Sequence, residues 1–205
     1  MQDTSSRPGI LFLYYSFAPI KGIGSIRNYS IAMESRPFFS TVEVISTSNA
    51  NFLSREDLPE VDQLSIHRVK TFDFRTFLNL FKYDAKKVKR TYSRQSSLGI
   101  IMKLQKTFPL NFCIGDGSLV YILCAYWQAC KLIKRGNIQY IFSSYSPYAD
   151  HLIAWLLKWR FPHLEWIADF RDPQVDLNFP TSYSPNTQMS INTFLLKKAS
   201  MITTV

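Results

Sequence analysis

The chain has 205 residues, 46% of them hydrophobic, and a formal net charge of +9. That is enough for one sizeable α/β domain with a real core, and it excludes disorder as a whole-chain reading. No apolar run approaches the roughly 18–20 residues of a membrane span. The polar start MQDTSSRPG lacks the apolar core of a signal peptide, which makes the cytoplasm the expected address.

In chain order, residues 9–17 (GILFLYYSF) read as a buried strand. Residues 25–35 read as a helix with Ser25 as its N-cap. TVEVIST (41–47) alternates and is β-branched, as a strand should be, and LSIHRVK (64–70) is a third strand candidate. Residues 75–108 are polar, basic and aromatic and read as helical pieces broken at Ser96–Gly99. The run 117–136 has helix length, with basic residues in its last turn and Gly136 just past its end. Next come a strand at 138–144, a helix opened by Ser146–Pro147 and running through Arg160, and a strand at 164–170. A stretch rich in Pro, Ser and Asn leads to a helix near 188–199 and a final β-branched run, MITTV.

Strands and helices alternate throughout, so the expected fold is α/β and Rossmann-like, a mostly parallel sheet with helices on both faces. The whole of 1–205 reads as one such domain. Because the sequence stops inside an apparent strand, it reads as part of a longer protein.

Cys113, Cys124 and Cys130 are odd in number and form no CxxC pair. That pattern supports neither a disulfide framework nor a structural zinc site. His67, His151 and His163 are too scattered for a metal-ligand spacing, and no metal is expected. The charge is unevenly placed. Lys82, Lys86, Lys87, Lys89, Arg90, Arg94, Lys103 and Lys106 face a single acid in their segment, Asp84. Such a patch suits an anionic membrane, nucleic acid or a polyanionic substrate, and equally a solvated helical face. Tyr83, Tyr92 and Phe108 could stack on bases, which keeps nucleic acid as the weaker reading.

In open α/β sheets ligands bind beyond the carboxyl ends of the strands. Three loops there carry unusual residues. The first, PIKGIGSIRN, holds Lys21, Gly22, Gly24, Ser25 and Arg27. Glycines admit close backbone approach, and the following helix offers free N–H groups to an anion. A dinucleotide fingerprint would need Gly or Ala where Arg27 stands, and an acid where the second strand ends in Ser46 and Thr47. A phosphate-binding P-loop would need GK[ST] after the glycines. A sugar and a plain tight turn both remain. The second loop, SSYSPYADH, places His151 about one turn into a helix, where a neutral, hydrogen-bonding imidazole is expected. The third, DFRDP, sets Asp169, Arg171 and Asp172 after a hydrophobic strand, either as an internal ion-pair knot or as groups presented to hydroxyls and phosphates.

PIKGIGSIRN, SSYSPYADHLIAWLLK and WIADFRDP, in this order, resemble the N-terminal domain of family-4-type retaining glycosyltransferases. The resemblance spans about 9–47 and 117–205. It implies one half of a GT-B enzyme, in which two Rossmann-like domains face a cleft. It implies a glycine loop (Lys21, Gly22, Gly24, Ser25, Arg27) near donor phosphate and acceptor, His151 on the transferred sugar, and Asp169, Arg171 and Asp172 along the same rim. The partners implied are a nucleotide-sugar donor and a glycan or lipid-linked acceptor, with no bound cofactor. In that family the donor site belongs to a C-terminal domain, so this chain alone is expected to be inactive. Lys86, Lys87, Lys89, Arg90 and Arg94 are then the candidate contacts to an anionic membrane on which the enzyme is peripheral. The competing class is a non-enzymatic α/β module using that basic segment. An unrelated α/β enzyme complete at this length is the third.

Overall fold

The computed structural model describes residues 7–20, 22–48, 63–72, 117–145, 147–171 and 185–204. Within them, six strands form one all-parallel sheet: β1 (Gly9–Leu13), β2 (Val42–Thr47), β3 (Ser65–Val69), β4 (Ile138–Tyr145), β5 (Glu165–Phe170) and β6 (Met201–Thr204). Their order in the sheet is β3-β2-β1-β4-β5-β6, the doubly wound Rossmann-like order. Four helices flank it: α1 (Ile23–Ser35), α2 (Leu119–Arg135), α3 (Tyr148–Arg160) and α4 (Pro185–Leu196).

Two cores lie on the two faces of the sheet, and β1 feeds both because its side chains alternate. Ile10, Phe12 and Tyr14 pack with Ala32 of α1, while Leu11, Leu13 and Tyr15 pack with Tyr121 and Ala125 of α2 and Ile153 of α3. A strand covered on both sides must be apolar throughout, and GILFL is buried along its whole length. α4 lies beside α3, with Phe194 and Trp155 rings 5.5 Å apart. α1 thus covers one face and α2–α4 the other. The direction in which strands are added reverses between β1 and β4: β2 and β3 lie to one side of β1, and β4, β5 and β6 to the other. No described helix is long and apolar enough to cross a membrane.

The predicted strands and helices that fall on the described residues are present, with four boundary corrections, one of them the last helix, expected near 188–199 and found at Pro185–Leu196. The first strand ends at Leu13, not residue 17: Tyr14, Tyr15, Phe17 and Ala18 stay buried, with Ser16 half-buried among them, but leave the sheet as a loop, with the Ala18–Pro19 peptide cis. Apolar content alone does not distinguish a strand from a buried loop. The first helix begins at Ile23, with Gly22 as N-cap, so Ser25 lies inside its first turn. The third helix begins at Tyr148 with Pro147 as its N-cap, one position later than expected. The predicted helical pieces of 75–108 lie outside the described residues.

Candidate functional site

The loop from β1 to α1 is fixed from four elements. The Tyr15 N–H donates to Asp150 Oδ2 of α3 at 2.8 Å. The Thr47 N–H of β2 donates to the Tyr15 carbonyl at 3.2 Å. Asn28 Nδ2 of α1 donates to the Ser16 carbonyl at 3.2 Å. Arg68 of β3 donates to the Ala18 carbonyl and, at 3.0 Å, to Ser46 Oγ. This bracing delivers Gly22 and the first turn of α1 to the carboxyl edge of the sheet, beside the β1–β4 switch point. That turn carries no acid and no side-chain cap bond, so the positive end of its dipole is not compensated from within the turn. Among the described residues a Cβ on Gly22 would meet only Ser25 Oγ, at 4.0 Å, which leaves the backbone there open to approach from them.

Behind this turn stands a carboxylate with all its acceptor positions filled. Ser144, Asp169 and Thr203 are register neighbours on β4, β5 and β6, and all three face α1. Arg27 of α1 reaches across β4 and grips Asp169 with two bonds, Nη1 to Oδ2 at 2.6 Å and Nη2 to Oδ1 at 2.9 Å. Ser144 Oγ donates to Oδ2 and Thr203 Oγ1 to Oδ1, each at 2.9 Å. Four donors match the roughly four lone-pair positions of a carboxylate. Burial works to raise the Asp169 carboxyl, but the bonds from Arg27, Ser144 and Thr203 outweigh it and hold it below its ordinary value. Its hydrogen bond to Asp169 raises Arg27 in turn. Of the two readings of DFRDP, Asp169 takes the internal knot, and its partner is Arg27.

Arg171 does something different. Its guanidinium lies against the backbone of Gly24, where any Cβ would overlap it. Gly24 is helical and outside the left-handed region, so no turn strain demands glycine; the close Arg171 does. Gly24→Ala is therefore expected to displace a flexible side-chain tip while gaining about 1 kcal/mol of helix propensity. The net stability change should stay within about 1 kcal/mol, a Tm shift of roughly 2–4 °C read by thermal unfolding. A larger loss would mean that Arg171 is held rigidly in place.

On the other face, the start of α3 holds two buried titratable groups. Asp150 accepts from the Tyr15 N–H and, at 2.7 Å, from Tyr121 Oη of α2. Burial pushes its carboxyl up to about 8, with the two donors only partly opposing. His151 is fully buried, its Nδ1 2.7 Å from Ser143 Oγ, which also accepts from Trp166 Nε1 at 2.8 Å. Which of Ser143 and the imidazole donates in this bond depends on the tautomer of His151. The imidazole Nε2 has no partner among the described residues. Burial pushes the imidazole down to about 4, so it is neutral as expected, through desolvation more than through the helix terminus. Tyr145, Tyr148, Trp166 and Phe170 surround the ring, the nearest centroid being Phe170 at 4.7 Å.

The structure thus gathers Gly22, Gly24, Ser25, Arg27, Asp169 and Arg171 on the α1 side, and sets His151 across the sheet from them. Adjacent serines on β4 make the division: Ser143 turns to His151, Ser144 to Asp169. Lys21, Asp172, Lys86, Lys87, Lys89, Arg90 and Arg94 lie outside the described residues. Sequence reasoning missed Asp150, although an acid in the third position of a helix, directly before His151, was a readable signal. It also missed Ser143, Ser144 and Thr203, whose roles come only from strand register. Among the described residues no group of three or more His, Cys, Asp or Glu side chains could hold a metal. No protein-family model matches the chain, and no curated protein matches it.

Proposed function

We propose that this chain is the acceptor-side domain of a retaining glycosyltransferase of GT-B architecture. With a C-terminal domain of the same protein it would move a sugar from a nucleotide donor to a glycan or lipid-linked acceptor, keeping the anomeric configuration. The observation that carries the reading is the crevice at the β1–β4 switch point. It is bordered by a helix start with open glycine backbone and no acid, backed by Arg27 and Arg171. Such an edge suits phosphate and sugar hydroxyls. Arg27 at the third fingerprint position, and Ser46 and Thr47 where a ribose-binding acid would stand, turn it away from dinucleotides. Ile23 and Ile26 stand exposed on the rim, where a facing domain would cover them.

In this reading catalysis rests on positioning and on stabilising the leaving diphosphate. His151, fully buried on the other face of the sheet, stands apart from this edge, and the transfer would take place at the cytoplasmic face. The test is calorimetry and a transfer assay with a panel of nucleotide sugars. The 205-residue chain is expected to show no transfer and no micromolar binding. The same chain joined to its C-terminal domain should transfer sugar, and Gly22→Val should reduce turnover at least tenfold without lowering Tm. Micromolar donor binding by the 205-residue chain would overturn the assignment of halves.

A further inference from the structure

We propose that α2 docks this domain on an anionic phospholipid surface. The inward side of α2 is fully used: Tyr121, Ile122, Ala125, Ala129 and Ile133 are buried against the sheet and α3. Among the described residues the outward side has no such cover. Leu119, Leu123 and Trp127, spaced four residues apart and so stacked on successive turns, are 50%, 51% and 64% exposed. The same face continues into Lys131, Lys134 and Arg135, all exposed. No acid occurs anywhere in LVYILCAYWQACKLIKR. Trp159 and Arg160, at the C-terminal end of the neighbouring α3, are exposed as well.

Large apolar side chains in a row, a tryptophan at the middle and basic residues beyond it describe a helix that lies in a membrane interface. The occupant follows from charge. In a pair of copies meeting along α2, a parallel arrangement would oppose two rows of basic residues. An antiparallel one would press Leu119 and Leu123 onto Lys131 and Arg135. Nucleic acid would satisfy the basic end and leave two leucines in water, because stacking on bases needs aromatic rings. An anionic bilayer takes both halves at once, the leucines and Trp127 among acyl chains and the basic residues at the headgroups.

The orientation is also set. Helices of a parallel sheet run against the strands, and the Tyr121–Asp150 bond ties the first turn of α2 to the first turn of α3. The apolar end of the docking face therefore borders the switch-point crevice, and a lipid-borne molecule would arrive beside it. This surface is distinct from residues 82–106 and does not depend on the transferase reading: vesicle binding and sugar transfer are measured separately.

The test is co-sedimentation of the 205-residue chain with vesicles of phosphatidylglycerol and phosphatidylcholine, against phosphatidylcholine alone. At least tenfold stronger partitioning into the anionic vesicles is expected, weakening with salt. The triple change Lys131→Ser, Lys134→Ser, Arg135→Ser should lower it about a hundredfold, at about fivefold per basic residue. Leu123→Ser with Trp127→Ser should lower it at least tenfold. All five side chains are exposed, so the variants should melt with the wild type. Wild-type partitioning by both variants would overturn the proposal. So would a dimer in sedimentation equilibrium that the Leu123/Trp127 variant dissolves while no vesicle binding is seen, or binding to RNA in place of vesicles.

Discussion

Arg27→Met is expected to lower the stability of the fold by about 3 kcal/mol at pH 7. Removing one partner of a buried ion pair strands the other charge, at a cost of about 3–5 kcal/mol. The lower end applies because the Arg27 side chain is 25% exposed and partly screened by water, and because Ser144 and Thr203 still bond the carboxylate. Adding Asp169→Asn should recover at least half of the loss, since no charge is then stranded. The pH dependence has a definite sign. A carboxyl held below its ordinary value stabilises the fold above the unfolded value near 3.9, and this contribution is lost as pH falls through the folded value. Arg27→Met should therefore unfold less steeply in acid than the wild type, measured as urea midpoints at pH 7 and in acid. A loss under 1 kcal/mol at pH 7 would sink the claim that the pair is effectively buried.

The second large effect comes from Asp150 and His151, neighbours in sequence with opposite linkage. The folded Asp150 titrates at about 8 against about 3.9 unfolded, so the native state keeps a proton that the unfolded chain has released. Stability falls with rising pH across that window. The folded His151 titrates at about 4 against about 6.5 unfolded, so the unfolded chain holds the extra proton and stability rises with pH up to 6.5. Between roughly pH 4 and 6.5 the two slopes oppose each other. Above 6.5 only Asp150 acts, at about 1.4 kcal/mol per pH unit, and roughly 2 kcal/mol should be lost by pH 8. Asp150→Asn can still accept from Tyr15 and should be flat over that range. Urea midpoints at pH 5, 6.5 and 8 read this directly, and an unchanged wild-type midpoint between 6.5 and 8 would remove Asp150 as the cause.

What was legible in the sequence was periodicity. The alternation of apolar strands with helix-length segments specifies a parallel α/β sheet, and the strand ends mark where a ligand edge lies. Contacts between distant segments were not legible. Arg27 and Asp169 are far apart in the chain, and DFRDP by itself offers Arg171 as the obvious partner of its own acids. The register of three strands decides otherwise, setting Ser144, Asp169 and Thr203 side by side beneath Arg27. His151 was placed correctly near the start of a helix, but its enclosure depends on Tyr145, Trp166 and Phe170, which two different strands bring around the ring. In the sequence Gly24 reads either as a glycine that lets the backbone approach a ligand or as a turn glycine. Here it makes room for a guanidinium from another loop.

The strand order also divides the chain in time. β1 pairs with β2 early in the sequence, Ile10 opposite Val42, but with β4 only when Gly9 meets Ile138. Each half of the sheet assembles from nearby segments, and the seam between the halves must wait for a long loop to close. The crevice sits on that seam. Parting β1 from β4 would divide the proposed binding edge while leaving two three-stranded pieces largely paired, a partial opening that needs less free energy than global unfolding. A ligand touching both sides of the seam acts as a clasp, and its occupancy should show first as slowed amide exchange along β1 and β4.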